Sequence, residues 1–418
     1  MRVAIIGGGW AGLTAAVEAT RAGHAATVFE ASRALGGRAR GLKSRLPDGS
    51  GVTLDNGQHI LIGAYTETLR LMRLVGVDPD QALLRLPLTL LFPDGQGLKL
   101  PPWRAPLDAF AGIVAARGWR WRDKLALLRT ATLWQHQGFA CASASTVADL
   151  CHPLTARVVT ELIEPLCVSA LNTPTHRASG QVFLRVLRDA LFGIRGGSNL
   201  LLPRTDLGAL FPDAAARWLA QHGAPVLTGH RVQALAPGAN CWQVDGKPFE
   251  RVILACAPGE AMRLVEASGI AAADWLRQAR SLAFEAITTV YASSSNRLAH
   301  PLLALRSGSA APAQFVFDRG QLGGPAGLLA FVVSASRGER DTLQQRVLAQ
   351  GRQLGLRDLQ PVQTVVEKRA TFACTPGLQR PGLRIAPGLL ACGDYVKGPY
   401  PATLEGAVLS SAAAVRLL

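Results

Sequence analysis

Gly7, Gly9 and Gly12, with Trp10 and Ala11 between the last two, follow directly on the run Val3 to Ile6. A glycine turn at the end of a buried strand lets backbone N–H groups approach a diphosphate with no side chain in the way. A helix started there aims its positive end at the same phosphates. The spacing predicts a strand over 3–6 and a helix over about 11–22, ended by Gly23-His24. A second strand is expected over 26–29. Glu30 then falls at that strand's tip, followed by Ala31, where a carboxylate can accept both hydroxyls of an adenosine ribose. Both NAD and FAD fit these residues.

Leu35-Gly36-Gly37-Arg38-Ala39-Arg40 supplies the same chemistry a second time. Gly36-Gly37 admits backbone again, and the Arg38 fork can neutralise a diphosphate, which favours FAD over NAD. Near the other end, Gly388 to Cys392 reads as a short apolar strand followed by Gly393-Asp394. Ala402 and Thr403 open a final helix over about 404–417, whose free N–H groups would stabilise negative charge on a reduced flavin ring. The Gly36 to Arg40 element resembles the extended FAD fingerprint of the amine oxidase and phytoene desaturase superfamily of flavoproteins. That resemblance implies FAD as cofactor, with Asp394 on its ribityl chain or phosphate. It also implies the Asn56-Gly57-Gln58-His59 backbone beside the isoalloxazine ring and the Val232 backbone beside the adenine. Taken alone, Asn56-Gly57 could be an ordinary hairpin turn, though its position favours an active-site loop, and a lone His59 can be structural.

Residues so far apart in the chain need a fold that gathers them. The expected class is α/β: a Rossmann-like FAD-binding domain, a parallel sheet with helices, built from 1–60, 196–259 and 371–418. A substrate domain of mixed sheet and helices takes 61–195 and 260–370. Within the first, a helix is expected over 206–222, strands at 225–227 and from Arg231, and a buried strand over 251–256. Within the second, 61–195 is mainly helical by periodicity, and 286–292, 315–317 and 328–333 read as strands. Of the 418 residues, 49% are hydrophobic and 17% charged, a balance that excludes a disordered chain. The seven cysteines form no CxxC pair, so neither a disulfide framework nor a metal site is expected. Met1 leads straight into a strand pattern, so no secretory leader is expected and the compartment read from this is the cytoplasm.

The net charge of +15 attracts phosphates, nucleic acid or anionic lipid. Trp103-Arg104 and Trp119-Arg120-Trp121-Arg122-Asp123-Lys124 flank Leu107, Phe110, Ile113 and Val114 at helical spacing. A helical region near 103–124 of this kind suits peripheral contact with an anionic membrane, on the inner face of the cytoplasmic membrane. The same pattern also serves a helix packed against protein. Nucleic acid is not expected, because the aromatics lie in aliphatic sequence and not along a charged groove.

The whole-chain order, above all DNGQHILIGAY from Asp55 and GDYVKGPYPATLEGAV from Gly393, resembles squalene-associated FAD-dependent desaturases, the hydroxysqualene dehydroxylases. This implies reductive removal of a hydroxyl from a long apolar isoprenoid, giving squalene. Hydride would come from reduced flavin, and a proton from His59, Tyr395 or Lys397. A long apolar tunnel should hold the substrate. A carotenoid-type desaturase shares the same fold. An amine oxidase does too, but is less expected with only four tyrosines. A non-catalytic escort for prenylated proteins would not need the phosphate glycines or Glu30. No motif names the reductant.

Overall fold

The computed structural model describes residues 1–418. In the strand Arg2–Ile6, Val3, Ala4, Ile5 and Ile6 are all buried, the composition of a strand covered on both faces. Alternate residues enter opposite cores: Ala4 and Ile6 face one, Val3 and Ile5 the other. This strand is central in a six-stranded sheet ordered Val226–Thr228, Ala25–Glu30, Arg2–Ile6, Arg251–Leu254, Leu389–Ala391, Arg384–Ala386. All neighbours run parallel except the last pair. Helices Trp10–Arg21 and Leu404–Val415 cover one face, and their buried alanines let them pack against each other. The start and end of the chain therefore share one layer.

A second, five-stranded antiparallel sheet is ordered Leu302–Ala304, Phe315–Asp318, Leu328–Ser336, Phe284–Ser293, Gln360–Phe372. Its three interior strands contain the runs expected at 286–292, 315–317 and 328–333. A small sheet of Leu61–Ile62, Leu200–Pro203 and Leu83–Leu86 ties the helical middle of the chain to the rest.

Three local expectations change. The single helix over 206–222 is two, Leu207–Leu210 and Pro212–Gln221. Phe211 precedes a proline, whose ring pushes it out of helical geometry, to φ −152°. The strand expected from Arg231 begins only at Leu235, because the amides of Gln233 and Ala234 donate to the Asp245 carboxylate instead of to a ladder. Residues 83–99, within the mainly helical stretch, form three short strands separated at Pro87 and at the Pro93-Asp94-Gly95 turn.

Asp55 fixes the segment that leads into the candidate site. The Gly41–Arg45 and Gly51–Asp55 strands pair as a hairpin, and Asp55 at its end accepts the Leu207 amide at 2.8 Å. Tyr291 Oη donates to the Asp55 carbonyl at 2.9 Å. Burial pushes the Asp55 carboxyl up to about 7, against the pull of the Leu207 amide and Arg319. In the unfolded chain it ionises near pH 4, so between about pH 4 and 7 the native state binds the extra proton. Stability tied to this group is complete below that window and is lost as pH rises through it. Three units correspond to roughly 4 kcal/mol. Asp55→Asn should gain stability relative to the parent protein between pH 5 and pH 8, read as thermal midpoints of both. An unchanged difference across that range would refute the assignment.

Candidate active site

A cavity of about 490 Å³ is lined from both sheets, by Ile6, Phe29 and Ala255 on one side and Phe315, Phe317 and Val332 on the other. This volume falls within the roughly 300–1,000 Å³ of small-molecule and cofactor sites.

At one end Gly7, Gly9, Trp10 and Ala11 line the cavity. Gly7 has φ +119°, and a Cβ there would lie 2.6 Å from the Ala255 carbonyl. Gly12 lies outside the lining. Its missing Cβ would stand 1.8 Å from the Gly7 carbonyl, so it is what lets the helix sit against the turn. No side chain caps that helix, which leaves its first amides for a ligand. Glu30 Oε2 accepts the Gly8 amide at 2.6 Å and Oε1 the Ser32 amide at 2.7 Å. Each oxygen keeps further lone pairs for a ribose. Ala31 and Val232 also line this end, and the Val232 carbonyl accepts Arg263 at 2.8 Å. His230, Arg231, Cys256 and Glu260 join them, although their sequence context carries no motif that marks them.

Gly37 and Arg38 line the middle. The Arg38 guanidinium pairs with Asp394 and donates to the Ala370 carbonyl at 2.7 Å. Gly393, Asp394 and Tyr395 stand together there, with Ser410 Oγ accepting the Gly393 amide at 2.9 Å. The Tyr395 hydroxyl is buried and has no protein partner; burial above all holds its phenol well above the ordinary range, so it keeps its proton. Ala402 and Thr403 line the cavity at the start of the last helix, where Thr403 Oγ1 accepts the Gly406 amide at 3.0 Å.

Asn56, Gly57, Gln58 and His59 line the cavity as a loop, not as a two-residue hairpin turn. His59 Nδ1 lies 2.6 Å from the Gly57 carbonyl. A carbonyl only accepts, so Nδ1 carries the hydrogen. Burial first, and then the Arg38 charge, pull the imidazole below its ordinary range despite the Gly57 bond. With its Nδ1 hydrogen held by the Gly57 carbonyl, the neutral imidazole has only an acceptor at Nε2, an arrangement that suits orienting a hydroxyl better than the expected acid. Lys397 is corrected as well: it is exposed and lies outside the lining, its backbone amide donating to Pro381.

The far end is made by Val168, Ala170, Ile287, Phe315, Phe317 and Val332. Asn172, in the left-handed region at φ 45°, donates to Thr371 Oγ1 at 3.0 Å and accepts the Ala335 amide at 2.6 Å. Glu367 also reaches the lining. Of these, Ile287, Phe315, Phe317 and Val332 fall in the runs expected as strands, an expectation that did not say which of them face a ligand.

A side-chain-free turn, an uncapped helix start, the Glu30 carboxylate, the Arg38 fork and an orphaned buried Tyr395 hydroxyl fit an extended dinucleotide with a flavin. Gly7, Gly9, Glu30 and Val232 would hold its adenosine half. Arg38, Asp394 and the loop at 56–59 would hold the flavin half.

The family described as flavin containing amine oxidoreductase matches residues 10–418. A hydroxysqualene dehydroxylase of Rhodopseudomonas palustris is 27% identical across 100% of this chain and 98% of its own length. A zeta-carotene desaturase of Synechocystis is 40% identical, but over 20% of this chain and 16% of its own. An oxidoreductase structure from Methanosarcina mazei superposes with TM-score 0.74 at 17% identity, covering all of both chains.

Glu30→Ala should lower flavin retention at least tenfold, measured as flavin-to-protein absorbance after purification and by titration of the stripped protein with FAD. Full occupancy in that variant would contradict the ribose role.

Proposed function

This chain belongs to the flavin containing amine oxidoreductase family and is an FAD-dependent oxidoreductase, and we propose that it reductively dehydroxylates a long apolar isoprenoid alcohol, hydroxysqualene, to squalene. The observation that carries this reading is the far end of the cavity. There Val168, Ala170, Ile287, Phe315, Phe317 and Val332 face the space while Asn172 and Thr371 are bonded to each other. This run of apolar side chains suits a hydrocarbon chain, and Glu367, Ser169 and Ser334 are polar groups that share the lining. The chain-long match to a hydroxysqualene dehydroxylase, against a short match to a carotene desaturase, supports the same choice.

In the overall balance, alcohol and reduced flavin become hydrocarbon, water and oxidised flavin. FAD, when bound and reduced, supplies the hydride. What the protein must supply is a proton for the departing hydroxyl and a dry place for the carbon that loses it. Of the three candidates, Lys397 is outside the cavity and the His59 hydrogen is held by the Gly57 carbonyl, which leaves the unpartnered Tyr395 hydroxyl as the proton source in this reading. His59 Nε2 can accept a hydrogen bond from the substrate hydroxyl and orient it. The aliphatic and phenyl wall keeps water from capturing the electron-poor carbon before hydride does.

Anaerobic incubation of the reduced enzyme with hydroxysqualene should yield squalene, and incubation of the oxidised enzyme with phytoene should yield no desaturated product. Carotene formation in the second reaction would replace this reading with the desaturase one. Tyr395→Phe should lower kcat by about 10²–10³, within the range for a general acid, while flavin content stays at the parental value. If that variant instead loses flavin and keeps its turnover per bound flavin, the hydroxyl serves the cofactor and is not the proton source.

A further inference from the structure

Six of the nine large hydrophobic side chains exposed on this protein come from residues 103–133: Trp103, Leu107, Phe110, Trp121, Leu125 and Leu133. The span folds as two contacting helices, Leu107–Ala115 and Trp121–His136. The first has only one charged residue, Asp108, and it is buried; the outward face, with Leu107 and Phe110 one turn apart, is entirely apolar. The second buries Asp123, Leu127, Thr130 and Trp134 against the protein, at the spacing of one helical face. Trp121 and Leu125, one turn apart, project on the other side. A surface helix ordinarily turns charge to water opposite its core stripe. Here Trp103, Phe110 and Trp121 are 59, 56 and 66% exposed, with the Lys124 ammonium 5.2 Å from the Trp121 ring centroid.

The charges around this face have a single sign. Arg104, Arg117, Arg120, Arg122 and Arg129 are exposed, whereas Asp108 and Asp123, the acids of the span, are buried. A second copy pressed onto the same patch would set arginines against arginines. An anionic lipid surface meets both features at once, with arginines at the headgroups and tryptophans at the boundary beneath them. No helix of the protein is long and apolar enough to cross a membrane.

We propose that the outer face of helices Leu107–Ala115 and Trp121–His136 docks on an anionic phospholipid bilayer. Not all the aromatics of the span take part: Trp119 is buried and donates Nε1 to Glu161 at 3.0 Å, which corrects its expected place in the contact. That bond ties the docking helices to the segment 156–171, whose end at Val168 and Ala170 lines the apolar part of the cavity. Bilayer and hydrocarbon site are thus joined through one packed helical layer. The docking surface stands independently of the substrate assigned above.

The test uses purified holoenzyme and sedimentation with vesicles. Protein should pellet with vesicles of phosphatidylglycerol and phosphatidylcholine, and the bound fraction should fall with added salt. Binding should drop at least tenfold in Phe110→Ser/Trp121→Ser, and severalfold in Arg122→Gln/Arg129→Gln. Unchanged flavin absorbance in both variants shows that they fold. Parental binding by both variants, or equal binding to pure phosphatidylcholine, would overturn the proposal. So would a mass by light scattering twice that of one chain, reverting to a single chain in the Phe110/Trp121 variant, since the face would then belong to a second copy.

Discussion

Arg38 joins three distant parts of the chain in one place. Its guanidinium pairs with Asp394 and donates to the Ala370 carbonyl, so the element after the second strand, the end of the long antiparallel strand and the Gly393-Asp394 corner converge on one side chain. Burial works against that charge, and the neighbouring Asp394 sustains it. Arg38 is only half-buried, but Asp394 is buried, and its carboxylate would be costly there without the guanidinium. The cavity therefore depends on all three segments arriving together. That assembly is reinforced on the opposite side of the last helix, where the buried Glu405 carboxylate accepts the Glu67 and Thr68 amides at 3.0 and 2.9 Å and so satisfies the start of the Thr66–Leu74 helix from 337 residues away.

The ionisable groups around the cavity differ because their surroundings differ. Asp55 directly precedes the cavity-lining loop at 56–59, its carboxyl is raised by burial, and it holds the hairpin end against the Leu207 helix. His59, four residues on, is lowered by burial and Arg38, and its tautomer is set by the Gly57 carbonyl. Tyr395 is raised by the same physical cause that lowers His59, since burial disfavours whichever form carries charge. His59 and Tyr395 are thus both favoured in their uncharged forms, while the charges of Arg38 and Asp394 are paired with each other.

The two sheets divide the work by their geometry. Parallel strands end together at one edge and leave turns and helix starts there, which suits phosphates. The antiparallel sheet alternates side chains between its faces, which suits a continuous apolar wall. Val290, Leu329 and Phe331 of that sheet enter its own outer core, whereas Phe315, Phe317 and Val332 line the cavity. The arginine-bordered helices at 107–136 lie beyond this wall, on the segment that completes it.

Much of the nucleotide half was legible in the residues themselves. Gly7, Gly9, Glu30, Gly37 and Arg38 are placed at the cavity by local geometry, where spacing within a few residues dictates a turn, a helix start or a strand tip, and such rules survive without knowledge of the rest of the chain. Phe211 could have been read the same way, because a residue before proline leaves the helix whatever surrounds it. The hydrogen-bonding state of His59 and the exposure of Lys397 were set only by the tertiary structure. The proton on an imidazole depends on burial and on a charge 21 positions earlier in the chain, and Lys397 was one backbone direction away from the cavity or the solvent. The wall of Ile287, Phe315, Phe317 and Val332, and the division of Trp119 from Trp121, were likewise settled by packing. A strand or helix pattern states that one face is buried, but what covers that face is set by segments hundreds of residues away.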